Sequence, residues 1–236
     1  MYGHYYGFYY DPMYFWVILA AIASMIASAR VQSTFAKYDR VRSRSGMTGA
    51  EVATRLLQNA GIYDVRVEHI SGELTDHYDP SKKVLRLSDA TYGSESVAAI
   101  GVAAHECGHA IQHQVGYVPI KLRSILVPVA NFGSKLGVPL IILGFILGLN
   151  STLVPIGIWV FSLAVLFQIV TLPVEFNASR RAVGVLEQQG ILAGEELGYC
   201  KKVLGAAALT YVAAAATSIV QLLRLISIFG GGKRND

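Results

Sequence analysis

The 236-residue chain is 53% hydrophobic and 15% charged, with a positive mean hydropathy, against about 25% charged residues in soluble globular proteins. Its apolar residues gather into runs long enough to span a bilayer, which takes roughly 20 residues at 1.5 Å each, so an ordinary soluble domain is excluded. The net charge of +4 and pI near 9.0 do not signal nucleic acid, because the basic residues flank the apolar runs instead of interleaving with aromatics; they read as the positive-inside bias of a membrane protein.

Residues 1–12, MYGHYYGFYYDP, carry tyrosine and glycine but no lysine or arginine. Tyrosines favour the membrane–water interface, so this segment is expected at the headgroups, or else is a low-complexity aromatic tail. Tyr14–Ala29 is the first span. Ala27-Ser28-Ala29 imitates a signal-peptidase site, but the residues ahead of the apolar run include Asp11 and no positive charge, while Arg30, Lys37, Arg40, Arg42 and Arg44 follow it. That asymmetry predicts an uncleaved anchor with its amino terminus outside and the next residues in the cytoplasm.

Residues 31–123 form a small polar α+β portion. Thr48 is a candidate N-cap with Glu51 as its capping-box partner, and the helix it opens closes on Gly61. VRVEHI alternates like a strand; short runs around LTDHY and VLRLS flank DPSKK, a turn-forming cluster, and read as a hairpin. Ser94 is expected to cap the helix ESVAAIGVAAHECGHAIQHQVG, which ends near Gly116.

Residues 124–172 supply two further spans. One lies within Ser124–Leu149, where Lys135 must snorkel because the wholly apolar Leu136–Leu149 covers only about 21 Å of helix. Thr152–Leu172 is the clearer one, and the uncharged turn around Asn150 suits the outer face. Residues 173–203 are polar, contain Arg180, Arg181, Lys201 and Lys202, and are expected back in the cytoplasm. Leu204–Phe229 is the last span, rich in small residues that permit close helix packing, and residues 230–236 form a tail. Within this reading Arg224 sits awkwardly inside an apolar run, and Lys233 and Arg234 fit the charge rule poorly. The fold class expected is a mainly α-helical integral membrane protein with about four transmembrane helices. Cys107 and Cys200 have no CxxC partner and suggest no disulfide framework.

The chemistry concentrates in AIGVAAHECGHAIQHQ, residues 99–114. His105-Glu106-Cys107-Gly108-His109 is H-E-x-x-H; on a helix, positions i and i+4 face the same way, so two imidazoles can converge on one ion. Glu106, one step around, is placed to take a proton from a water acidified by the metal. At this chain's own composition about 0.006 chance matches to that pattern are expected, which disfavours a helix with ordinary surface histidines.

A catalytic zinc site uses three protein ligands and leaves one position open, so one ligand is missing from the motif. His113 extends the stripe but lies about 12 Å along the helix from His105, too far for one ion. His69 and His77 fall on the predicted strands with no metal spacing. Glu175, in LPVEFNASRRAV, is the better candidate: it follows the third span, at the start of a helix ending at Gly190, on the same membrane face as the histidines. Its competing role is charge compensation at that helix's amino end.

H-E-x-x-H followed by membrane helices and E-F-x-A resembles the integral-membrane zinc peptidases of the HtpX and CAAX-prenyl-protease kind, gluzincins in which that glutamate is the third zinc ligand. The resemblance implies His105, His109 and Glu175 as ligands of one Zn2+, with Glu106 as catalytic base. Where those proteins have aspartate, Ser179 stands here, which removes a charged partner behind the ligands. A closer resemblance, over nearly the whole chain, is to the YugP-like neutral zinc metallopeptidases; KYDRVRSRSGMTGAEVA, LTDHYDPSKKVLRLSDATYGS, VAAHECGHAIQH, LVPVAN and TLPVEFNASRRA all look like its signatures. In that family serine after E-F-N-A is usual.

The reading that follows is a zinc-dependent peptidase of the cell membrane, acting at the cytosolic face on a peptide or membrane-protein substrate. The alternatives are a membrane-embedded zinc scaffold or chaperone-like protein without peptidase activity, and a transporter, the latter disfavoured because ionisable residues cluster at the membrane boundary. Two expectations are finer. KVLRLS, residues 83–88, is expected to be an edge strand beside the metal to which an extended substrate adds. Tyr211, Arg180, Arg181 and His113 are equal candidates to stabilise an oxyanion.

Overall fold

The computed structural model describes residues 11–148 and 152–229. The amino-terminal aromatic segment up to residue 10, the turn around Asn150 and the tail from residue 230 lie outside the described residues.

Four helices are long and apolar enough to cross a membrane: α1 (Pro12–Asp39), α5 (Val118–Ile146), α6 (Leu153–Gln188) and α7 (Gly194–Phe229). Between α1 and α5 lie α2 (Gly49–Asn59), β1 (Arg66–His69), β2 (His77–Asp79), β3 (Val84–Leu87), the short α3 (Asp89–Tyr92) and α4 (Val97–Gln114). The chain is thus the mainly helical membrane protein expected, with one small sheet. α1 packs on α7, α7 on α6 and α6 on α5.

The long helices run through the points where polarity changes. α1 continues past the apolar run to Asp39, and α6 is one helix from Leu153 to Gln188. Glu175 therefore does not begin a helix, as its position after the third apolar run suggested, but sits inside one. The end of a hydrophobic run marks the end of the bilayer, not of the hydrogen-bond ladder, and Pro173 is accommodated within α6. At about 1.5 Å per residue α6 is roughly 54 Å long, against a hydrocarbon core of about 30 Å. One helix is thus long enough to cross the apolar layer and still carry Glu175 beyond it.

Small residues set the helix spacing. A Cβ on Gly133 would lie 2.6 Å from the Val160 carbonyl oxygen, and one on Gly157 would lie 2.8 Å from the Gly137 carbonyl oxygen, so α5 and α6 approach backbone to backbone. α1 and α7 are tied by Ser24 and Thr217, whose hydroxyls are 3.0 Å apart, and by Arg224, whose Nε donates to Asp11 Oδ2 at 2.6 Å over the Tyr14 ring. Asp11 also caps α1 by accepting from the Met13 N–H. Arg224 is therefore neutralised where the sequence left it unexplained.

The polar portion forms as its local signals dictate. Thr48 and Glu51 make the reciprocal capping box of α2, and Gly61 takes positive φ just past that helix. β2 and β3 pair antiparallel as a hairpin, and β1 joins β3 in parallel, giving the order β1-β3-β2. β3 is thus the central strand and not an edge: Val84, Leu85 and Leu87 are buried, the pattern of a strand covered on both faces. The exposed edge nearest the motif is β2.

The motif helix begins two residues later than expected. Ser96, not Ser94, caps α4 by accepting from the Ala99 N–H. Ser96 also donates to Asp39 Oδ1 at 2.7 Å, and Ser94 is spent on the Ser96 N–H and the same aspartate. This fastens the start of α4 to the end of α1. α4 then runs through the core against α2, α6 and α7. Gly108 allows its closest approach, since a Cβ there would meet the Ala178 carbonyl oxygen of α6 at 2.6 Å. Cys107 and Cys200 are both buried and free, and burial pushes the Cys107 thiol pKa up, so it packs as an inert apolar side chain.

Candidate metal centre

α4 and α6, held together at Gly108, bring three side chains to one point. His105 Nε2 lies 3.1 Å and His109 Nε2 3.6 Å from Glu175 Oε2. Two ligands about 2.0–2.1 Å from a tetrahedral zinc are separated by roughly 3.3 Å, so the spacings straddle that value. The ligand atoms of His105, Glu106 and His109 also lie within 4.8 Å of one another, which puts two carboxylates near the imidazole pair. Glu175 is only 2% exposed.

The hydrogen bonds behind the histidines test whether a cation belongs there. Gln112 donates through Nε2 to the Val174 carbonyl at 2.8 Å and to Asn177 Oδ1 at 3.0 Å. That orientation leaves Gln112 Oε1 as the acceptor 3.0 Å from His109 Nδ1, so the proton of neutral His109 sits on Nδ1. Nε2 then points a lone pair at the Glu175 carboxylate, and two acceptors face each other across 3.6 Å. Positive charge between them satisfies such an arrangement, whether a proton on Nε2 or a divalent ion with N and O ligands. Burial works against protonating His109, while hydrogen bonding to Glu175 and the Glu106 charge work for it; the carboxylates prevail and raise its pKa. The donor set fits zinc.

Ser179 occupies the place behind His105. Its hydroxyl lies 3.1 Å from His105 Nδ1, so the aspartate of related motifs is replaced by a neutral partner without leaving the ring nitrogen alone. Arg123 Nη1 donates to Glu175 Oε1 at 2.9 Å, which leaves Oε2 turned towards the histidines. The Tyr78 N–H of β2 donates to Glu106 Oε2 at 2.9 Å and fixes the second carboxylate.

The other sequence candidates separate clearly. His113 packs edge-on against Tyr78, with ring centroids 5.6 Å apart, and burial, with the positive charges of Arg123 and Lys121, holds its pKa down. It lines the cleft without joining the ligand group. His69 pairs with Asp89, and His77 bonds the Thr75 carbonyl and Arg86. Arg181 bonds Asn177, and Arg180 faces a different groove, between α6 and α7. Of the four oxyanion candidates, Tyr211 and His113 line the cleft beside Glu106 and Glu175.

Gln112, Asn177 and Arg123 were not picked out from the sequence. Gln112 was within reach of such reasoning, because i+3 from His109 is the same helix face. Arg123, an arginine at the mouth of an apolar run, carried the general signal of a functional intramembrane charge, but its partner lies 52 residues away.

A family model described as "Putative neutral zinc metallopeptidase" matches residues 13–230. A Bacillus subtilis (strain 168) protein named "Putative membrane protease YugP" is 48% identical over 222 residues, covering 94% of this chain and 98% of that relative. No solved structure matches.

Proposed function

The chain belongs to the family of neutral zinc metallopeptidases that residues 13–230 match, and from that premise we propose that it hydrolyses peptide bonds at the cytoplasmic boundary of a cell membrane. In this reading His105, His109 and Glu175 hold one zinc ion and Glu106 is the general base. The observation that supports it is the meeting of Glu175 Oε2 with both imidazole Nε2 atoms, at spacings two ligands of one zinc ion would adopt.

Zinc in that set would supply Lewis acidity, bringing the pKa of water towards about 7 and polarising a carbonyl. Glu106, anchored through one oxygen by the Tyr78 N–H, takes the proton of the attacking water as the new C–O bond forms. It then delivers that proton to the leaving amine as the C–N bond breaks. Tyr211, whose side chain faces the cleft, donates to the oxygen that gains charge. With β3 enclosed, the edge strand beside Glu106, to which an extended peptide would add, is β2. The cytoplasmic placement rests on Arg30, Lys37, Arg180, Lys201 and Lys202, which cluster at the site end of the spans.

Comparing the membrane proteomes of cells carrying wild type and Glu106→Gln tests this reading. Intact substrates accumulate only with the variant; identical proteomes and identical fragment patterns would refute it. The partner of His105 gives a second test. Ser179→Ala is expected to weaken zinc binding about 10–100-fold, the usual effect of losing the group behind a ligand, as read by competition with a chelator. Ser179→Asp restores it, because a carboxylate accepts from Nδ1–H equally well. Unchanged affinity in Ser179→Ala shows that the hydroxyl does not orient His105.

A further inference from the structure

Two cavities meet at Glu106, and they differ in character. The first, about 280 Å³, is the cleft already described, where His77, His113 and Arg123 add polar and charged groups. The second, about 370 Å³, opens along the same face of the motif helix towards its amino end and is walled chiefly by apolar residues. Asp76, Glu106 and Tyr211 line both, so together they form one groove with a polar half and an apolar half across the catalytic base.

The walls of the apolar half come from two candidate membrane spans. Ser28, Val31, Gln32 and Phe35 contribute from α1, at i, i+3, i+4 and i+7, one face of that helix. Val203, Leu204, Ala207, Thr210 and Tyr211 contribute one face of α7. Leu74 closes the rim from the loop between β1 and β2; it is 40% exposed and held at φ 53°, a strained position for an apolar side chain that projects over the cavity. Val31, Ala207, Glu175 and Arg123 each lie roughly 28–35 Å along their helices from the far end. That is about one hydrocarbon thickness, so the groove sits at the membrane boundary and its apolar half lies between spans.

We infer that this apolar cavity is the subsite for the hydrophobic flank of the substrate, and that the substrates are polypeptides cut beside a membrane-embedded segment. The inference rests on the peptidase reading and adds the substrate class. The apolar segment enters between α1 and α7, the scissile bond lies over Glu106, and the polar flank leaves through the cleft by Arg123 and His113. A polar segment in the apolar half would give up water against mostly apolar walls, which disfavours soluble loops there.

The test measures binding without turnover. Full-length Glu106→Gln protein in liposomes is titrated with a fluorescent polar peptide, and with the same peptide joined to a leucine-rich tail of about 20 residues. The tail is expected to tighten binding about tenfold or more, the gain from burying one or two large apolar side chains. Ala207→Trp and Val31→Trp, which fill the cavity from different helices, each remove most of that gain and leave the untailed peptide unchanged. Leu209→Trp, at a position 42% exposed on α7 and outside this cavity, changes neither and controls for partitioning into the bilayer. A tail effect that is absent, or that survives both filling variants, overturns the inference. If the tail effect behaves as expected but zinc-loaded wild type cuts neither peptide, the subsite stands and the hydrolytic reading fails.

Discussion

Glu175→Gln is expected to lower zinc affinity by more than about 100-fold, exceeding the 10–100-fold typical of groups one step behind the ligands, and to abolish cleavage with it. The substitution keeps the side chain's size and removes its charge at a position only 2% exposed. It withdraws the oxygen that faces both imidazoles and leaves Arg123 Nη1 without its carboxylate. Removing one partner of a fully buried ion pair costs about 3–5 kcal/mol; the cost here falls below that, because the Arg123 side chain is 29% exposed and can turn to water in the cleft. Zinc titration by chelator competition, with a melting curve on the same sample, separates loss of metal from loss of fold. Stoichiometric zinc at wild-type affinity in a folded variant would mean that Glu106, the other nearby carboxylate, is the ligand.

Glu106→Gln has the opposite signature. Zinc stays, because neither imidazole nor Glu175 is touched, while the rate falls about 10²–10⁴-fold, the span of general-base catalysis. The amide still accepts from the Tyr78 N–H but has no basic lone pair to receive a proton. Cleavage of a peptide substrate by zinc-loaded variant and wild type provides the readout, and a rate within threefold of wild type removes Glu106 from the mechanism. The two variants together divide metal holding from proton transfer between two glutamates on different helices.

These expectations depend on features that were legible in the sequence to different degrees. Local signals carried far: the H-E-x-x-H spacing placed His105 and His109 on one face, the Thr48–Glu51 box opened α2, and the apolar runs marked four spans. Pairing Glu175 with the histidines was also within reach, since the charge pattern put both on one side of the membrane. What escaped was non-local. The break at Leu172 hid the continuity of α6, because polarity reports the surroundings of a helix and not its hydrogen bonds. Ser94 and Ser96 are equally good caps by type, and both donate to Asp39, 57 residues away from Ser96, a contact no local signal announces. The rank of β3 as central strand follows from β1 joining it in parallel, a pairing no turn signal announces. The Arg123–Glu175 pair joins two spans and leaves no spacing to read.

The Ser179 position shows how chemistry can survive a change of residue. A hydroxyl 3.1 Å from His105 Nδ1 does the orienting that a carboxylate would do, without adding a third negative charge beside Glu106 and Glu175. Gln112 plays the equivalent part for His109, so both imidazoles are steered by neutral groups. The groups behind the two imidazoles thus add no negative charge to that of Glu106 and Glu175.

The X-ray absorption spectrum of zinc bound to the wild-type protein bears most directly on the convergence of α4 and α6 around a single ion. The predicted spectrum has only nitrogen and oxygen neighbours at about 2.0–2.1 Å, two of them imidazoles and one a carboxylate lost in Glu175→Gln, with an exchangeable oxygen completing the shell. A sulfur at about 2.3 Å, or a shell unchanged by Glu175→Gln, would contradict it.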